Sequence, residues 1–159
     1  MKGGELKTLA KIVKIARRAQ KQGKKIVTTN GCFDLLHIGH VRSLKFAKSL
    51  GDILIVGVNS DLSVRANKGP LRPIIPEKER AEILAALEAV DYVFIFSDKT
   101  PVGWLKKIRP DIHVKGADRS LRQIVERAVL KKIGAKLVFA PIVKGKSTTE
   151  LIKKLSEKR

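Results

Sequence analysis

Apolar positions recur at two spacings along the chain, and the two alternate. Between residues 5 and 22, Leu6, Leu9, Ile12, Val13 and Ala16 fall at helical intervals among lysines and arginines, and Gly23 closes the segment. Residues 25–30 (KIVTTN) then form a short apolar, β-branched run that reads as a first strand. Further strands are predicted over 53–58, 92–96, 112–116 and 136–141. Helices are predicted over 40–50 with Gly51 behind it, 76–90 with Pro76 at its start, 100–108 with Thr100 as N-cap, 121–133 and 148–158. Strands that alternate with helices form βαβ units, and runs such as ILIVGV are apolar on both faces. The predicted fold is α/β: a Rossmann-like, doubly wound, parallel five-stranded sheet with helices on both faces. Neither a repeat nor a linker interrupts residues 1–159, so one domain is expected, with 1–23 as an N-terminal helical extension.

Sheets of this kind bind ligands beyond the carboxyl ends of their strands, where strand order reverses. Polar segments follow the predicted strands at Asn30–His40, Asn59–Arg72, Lys115–Asp118 and Lys144–Thr149. The first holds the densest chemistry, in T-T-N-G-C-F-D-L-L-H-I-G-H over residues 28–40. Gly31 permits a tight turn, and Gly39 leaves room for a ligand against the backbone. His37 and His40 are three apart and share one face of a beginning helix turn, where unpaired N–H groups already favour an anion. Two imidazoles there can donate to phosphate oxygens as charge grows on them. Zinc would need a further ligand; the remaining histidine, His113, lies far along the chain on a predicted strand.

Charge changes the picture less than its size suggests. The net charge is +19, with 34 Lys and Arg against 15 Asp and Glu, which raises the prospect of a nucleic-acid binder. The cations are scattered, however, and five Phe, one Tyr and one Trp supply few stacking rings. A lysine-rich, thermophile-like surface with a basic phosphate site fits better, and nucleic acid is disfavoured as a partner. No signal peptide or membrane span is visible, and the single Cys32 cannot form an internal disulfide, so a cytoplasmic protein is expected.

H-I-G-H preceded by G-C-F-D-L-L resembles the H-x-G-H signature of the nucleotidylyltransferase superfamily, in its cytidylyltransferase-like branch. From about Lys24 to Lys154, successive segments resemble the adenylyltransferase domain of ADP-heptose synthases: V-N-S-D-L-S-V, K-G-P-L-R-P-I, R-P-D-I-H-V-K-G-A-D and K-S-T-T-E-L-I. The resemblance implies transfer of AMP from ATP to a sugar 1-phosphate of the D-glycero-D-manno-heptose type, with release of pyrophosphate. A CTP-dependent transferase for glycerol 3-phosphate or ethanolamine phosphate is the alternative within the class. A non-catalytic nucleotide- or nucleic-acid-binding protein is the alternative outside it.

The same resemblance implies the site. His37, His40 and Lys115 would be catalytic. Thr29, Asn30, Gly31, Phe33, Gly39, Arg80, Gly116, Ser147, Thr148 and Thr149 would bind the nucleotide, with Phe33 expected to pack more than to touch it. Asp34, Lys68, Arg72 and Asp118 would bind the acceptor, with Asp34 alternatively helping to position a cation. Mg²⁺ is implied with the nucleotide, held mostly by its oxygens and water rather than by protein ligands. A homodimer is implied, and no membrane partner. Two departures touch the acceptor end: K-G-A-D-R stands where K-G-G-D-Y is usual, and Glu150 stands where Asn is common.

Overall fold

The computed structural model describes residues 3–116, 124–141, 143, 148, 151, 152 and 157. Among the described residues, six parallel strands form one sheet: β1 (Glu5–Leu6), β2 (Ile26–Gly31), β3 (Ile53–Asn59), β4 (Tyr92–Phe96), β5 (Ile112–Gly116) and β6 (Lys136–Ala140), in the order β1-β4-β3-β2-β5-β6. The chain winds outward from β2 through β3 to β4, then returns to β5 and β6 on the other side. Strand order therefore reverses between β2 and β5, which makes their carboxyl ends the switch point.

Five of the strands match the sequence expectation. The sixth, β1, lies inside the segment read as helix. The helix begins four residues later, as α1 (Leu9–Lys21), with Thr8 capping it through Lys11 N. The expected helix over 40–50 is α2 (Ile38–Ser49), and those over 76–90 and 100–108 are α4 (Glu77–Ala85) and α5 (Val102–Ile108). Pro101, not Thr100, occupies the cap position of α5, without a side-chain cap bond. A short helix that the pattern did not predict, α3 (Asp61–Lys68), follows β3 and is capped by Ser60. The described part of the helix expected over 121–133 is α6 (Arg127–Ile133). Of the helix expected over 148–158, Thr148, Leu151 and Ile152 are helical and most of the rest lies outside the described residues.

Alternation along the strands sends side chains into two cores. Val27, Leu54, Val56 and Val58 pack with Leu44 of α2 and Ala81 and Leu84 of α4. Ile26, Ile55 and Phe94 pack on the opposite face with Ile12 and Ala16 of α1, Trp104 and Leu105 of α5 and Leu130 of α6. The N-terminal helix thus covers the sheet's own core.

Candidate active site

The loop leaving β2 crosses the switch point and enters α2. Gly31 leaves room for the Phe33 ring: a Cβ on it would meet that ring at 3.1 Å and oblige it to shift by a few tenths of an ångström. Phe33 itself adopts a φ of 48°, a left-handed conformation unusual for a bulky residue and the kind of strain that clusters at functional sites. Its ring meets His40 edge-on, with centroids 5.4 Å apart. Phe33 is therefore a packing residue of the histidine loop.

His37 is the N-cap of α2, and its Nδ1 accepts a hydrogen bond from Gly39 N at 3.1 Å. An accepting Nδ1 makes Nε2 the protonated nitrogen of the neutral ring. His40, in the first turn of α2, stacks on His37 with centroids 3.9 Å apart and planes 26° from parallel. Burial, then the like charges of His37 and Lys68, push His40 down to about 4. Lys68, the last residue of α3, thus acts electrostatically on His40. His40 Nδ1 is buried without a hydrogen-bond partner among the described residues. His40 is therefore a neutral ring that can donate a hydrogen bond without carrying charge.

Later segments return to this loop. Thr148 Oγ1 donates to Leu35 O at 3.2 Å across 113 positions of sequence, which brings Thr148 beside the histidine loop. Asp34 is 2 % exposed and accepts from Arg72 Nε at 2.5 Å, Ile74 N at 2.8 Å and Ile75 N at 3.0 Å. Burial pushes its carboxyl up, but the bonds from Ile75, Arg72 and Ile74 and the Arg72 charge outweigh this and hold it below the usual range. Asp34 thus fixes the loop between α3 and α4 onto the histidine loop, and both its oxygens are engaged. Oδ1 takes two of these bonds and Oδ2 one, so the carboxylate serves as an anchor and keeps one acceptor position on Oδ2. Arg72 keeps a buried Nη2 without a hydrogen-bond partner among the described residues, a donor suited to an anionic oxygen.

Arg80 departs most from the sequence reading. It is 1 % exposed and wholly engaged inside the protein. Its Nε donates to Ile75 O at 2.8 Å, its Nη1 to Cys32 O and its Nη2 to Asp61 Oδ1 at 2.6 Å. It joins the two loops and does not extend toward a triphosphate. Thr29 is likewise structural: it is buried, and its hydroxyl donates to Val114 O at 2.9 Å, closing the seam between β2 and β5.

Across the switch point, Lys115 Nζ donates to Asn30 Oδ1 at 2.8 Å and pairs with Glu126. Gly116 ends β5 beside it. Ser147, Thr149 and Asp118 lie outside the described residues. Sequence reasoning missed Glu126 and His113. The available signal was the two-residue strand period, which places His113 and Lys115 on one side of β5. Among the described residues, no group of three or more His, Cys, Asp or Glu gathers to hold a metal, and no helix is long and apolar enough to cross a membrane.

The cytidylyltransferase-like family pattern matches residues 28–154. The chain is 47% identical over 151 residues to the bifunctional protein HldE of Citrifermentans bemidjiense, covering 95% of this chain and 31% of that protein. It is 49% identical over 150 residues to the HldE of Nitratiruptor sp., covering 94% of this chain and 32% of that one. The chain therefore spans about a third of the length of these curated relatives. Among solved structures, the lipopolysaccharide core biosynthesis protein from Thermoplasma volcanium is similar, with a TM-score of 0.64 and 31% identity over 78% of this chain and 100% of that one. With H-I-G-H at the start of α2 and the pattern matched from Thr28 to Lys154, this chain belongs to the cytidylyltransferase-like family of nucleotidyltransferases.

Proposed function

We propose that this protein transfers AMP from MgATP to the phosphate of a heptose-type sugar 1-phosphate and releases pyrophosphate. The observation that carries the reading is the stacked His37–His40 pair at the N-terminus of α2, beside the switch point. In the reaction, an oxygen of the sugar phosphate attacks the α-phosphorus of ATP. The bond from that phosphorus to the bridging oxygen breaks, and pyrophosphate leaves with its electron pair. The attacking phosphate is already anionic, so no general base is needed; placement and stabilisation of charge dominate. Nε2–H of His37, the His40 ring and the Arg72 guanidinium supply donors for the oxygens on which charge grows, and the positive end of the α2 dipole lies beside them. Lys68 adds positive charge beside them. Mg²⁺ enters on the triphosphate, held mostly by the nucleotide's oxygens and water.

Similarity to the HldE proteins over 95% of the chain supports ATP and a heptose phosphate. The family pattern's own description, cytidylyltransferase-like, favours the second reading, CTP with glycerol 3-phosphate or ethanolamine phosphate. Purified protein supplied in turn with ATP, CTP, GTP and UTP and each candidate phosphate decides between them by pyrophosphate release. Turnover is expected with ATP and heptose 1-phosphate; turnover with CTP and glycerol 3-phosphate alone would establish the second reading. Loss of one charge-stabilising donor lowers rate by roughly 10²–10³, so His40→Ala should lose at least about that factor with its fold intact. Undiminished turnover in that variant removes the mechanism. The protein acts as a homodimer in this reading, in the cytoplasm.

A further inference from the structure

The seam between β2 and β5 carries a row of buried polar groups that the phosphate chemistry above does not use. Thr28 and His113 are register partners across it, and Thr28 Oγ1 lies 2.8 Å from His113 Nδ1. The imidazole is fully buried and stands edge-on to Trp104 at 5.8 Å. Its Nε2 lies 3.6 Å from Glu126 Oε1. Glu126, at the N-cap position of α6, is 2 % exposed and pairs through the same oxygen with Lys115 Nζ. That ammonium also donates to Asn30 Oδ1 on β2. Lys115 is therefore held at the switch point by oxygens from two separate elements.

Stability alone is a poor reason for this arrangement. Withdrawing two charges from water offsets much of their attraction, so apolar side chains of equal volume hold a core at least as well. Position is a better one. Lysine is a flexible cation, and fixing it before a ligand arrives lowers the ordering cost of binding. His113 completes the arrangement. Burial first, and the Lys115 charge against it, push its imidazole down to about 4 despite the neighbouring carboxylate. The ring therefore stays neutral at physiological pH and leaves the charge of Glu126 directed at Lys115. Burial pushes Glu126 up, but His113 and Lys115 outweigh it and bring the carboxyl down to about 2, so the anion persists.

We propose that Glu126 is a positioning residue for Lys115: with His113 packed behind it, its carboxylate presents the ammonium at the β2–β5 switch point to the phosphate chain of the bound nucleotide. This rests on the nucleotidyl-transfer reading, which does not itself require Glu126.

The test compares four proteins: the parent, Glu126→Gln, Lys115→Met and the double variant. Each is assayed for MgATP affinity by calorimetry and for pyrophosphate release with ATP and heptose 1-phosphate. Residues that act as a unit are non-additive, so Glu126→Gln should lower kcat/KM for ATP by about tenfold or more, while the double variant matches Lys115→Met. The KM for the sugar phosphate should change little. Losses that multiply in the double variant overturn the proposal, because a purely structural Glu126 would act whether or not Lys115 is present. So does a Glu126→Gln protein with the parent's affinity and rate. A parent that binds ATP yet releases no pyrophosphate with any phosphate overturns the transferase reading, and the same four affinities still decide the pairing. Should the Gln variant fail to fold, Glu126→Asp keeps the charge but withdraws it by one methylene. Its loss should appear with Lys115 and vanish with Lys115→Met.

Discussion

Arg80 shows how a motif residue can serve a site without touching substrate. A guanidinium offers five donors in a planar fork, and here that fork joins the carbonyls of Cys32 and Ile75 to the Asp61 carboxylate. Arg80→Met would leave two carbonyls without this donor and the carboxylate without its cation. Breaking a buried pair costs about 3–5 kcal/mol, and the 24% exposure of the Asp61 side chain places this loss near the lower figure. Urea denaturation of the variant should show it; a loss under about 1 kcal/mol contradicts the clamp role. His113 supplies a pH dependence of known sign. Its folded value of about 4 lies below the ordinary 6.5, so between those values the unfolded chain binds the extra proton. Stability is therefore complete above about 6.5 and falls as pH drops toward about 4, with His40 adding to the same window. Glu126 extends the fall to lower pH, from its ordinary 4.5 down to about 2. Thermal midpoints measured across the upper window should decline in the parent and decline less in His113→Leu. A flat profile in the parent is incompatible with a neutral, buried ring.

At the scale of elements, the sequence was legible where one period dominates. The apolar runs of β2 to β6 have the spacing a doubly wound sheet demands, and the polar residues behind them mark its ligand-binding edge. The histidine loop was legible because each special residue has a local reason: Gly31 beneath a ring, His37 at a cap, His40 in the next turn. What was missed is set by tertiary contacts that no local period encodes. α3 is a short helix of mixed polarity with only Ser63 and Val64 buried, so Asn59–Arg72 read as loop. Arg80 and Asp34 read as ligands because their actual partners lie 48 and 40 positions away. β1 is two residues long and is defined by its neighbours, not its own sequence. Its attachment rests on Gly4, whose added Cβ would run into the Val90 carbonyl. Gly4→Val should therefore detach β1 and with it three backbone bonds, from Gly4 N to Ala85 O, Glu5 N to Asp91 O and Lys7 N to Val93 O. Each such bond contributes about 1 kcal/mol net, so Tm should fall by several degrees. Turnover should survive, because β1 edges the sheet on the far side of β3 and β4 from the switch point. An unchanged Tm would show that the strand is not anchored there.

For the whole molecule, the two helical layers carry unlike charge, and this bears on how copies associate. The layer of α1, α5 and α6 holds five, two and three Lys or Arg respectively, every one exposed, and its helices contain no Asp or Glu. The helices α2, α3 and α4 hold three, two and two basic residues, offset by Asp61 on α3 and Glu77, Glu79 and Glu82 on α4. A two-fold dimer places one patch against its own copy. The all-cationic layer would then meet itself, with like charges desolvated and no anion to offset them. The second side has the opposite character. Ile38, Leu62, Leu71, Ile74 and Ile83 are exposed on α2, α3, α4 and the loop between α3 and α4, Leu71 at 89% and Leu62 at 68%. Burying a leucine contributes about 1.5–3 kcal/mol, so a self-association built on these side chains is favourable where the other face repels. Light scattering should therefore give a dimer mass that persists in Lys14→Glu and Arg18→Glu on α1. In Leu62→Asp with Leu71→Asp the mass should fall to that of one chain, with far-UV dichroism unchanged. Loss of the dimer in the α1 variants, together with its persistence in the leucine variants, would place the contact on the cationic layer and refute the charge argument.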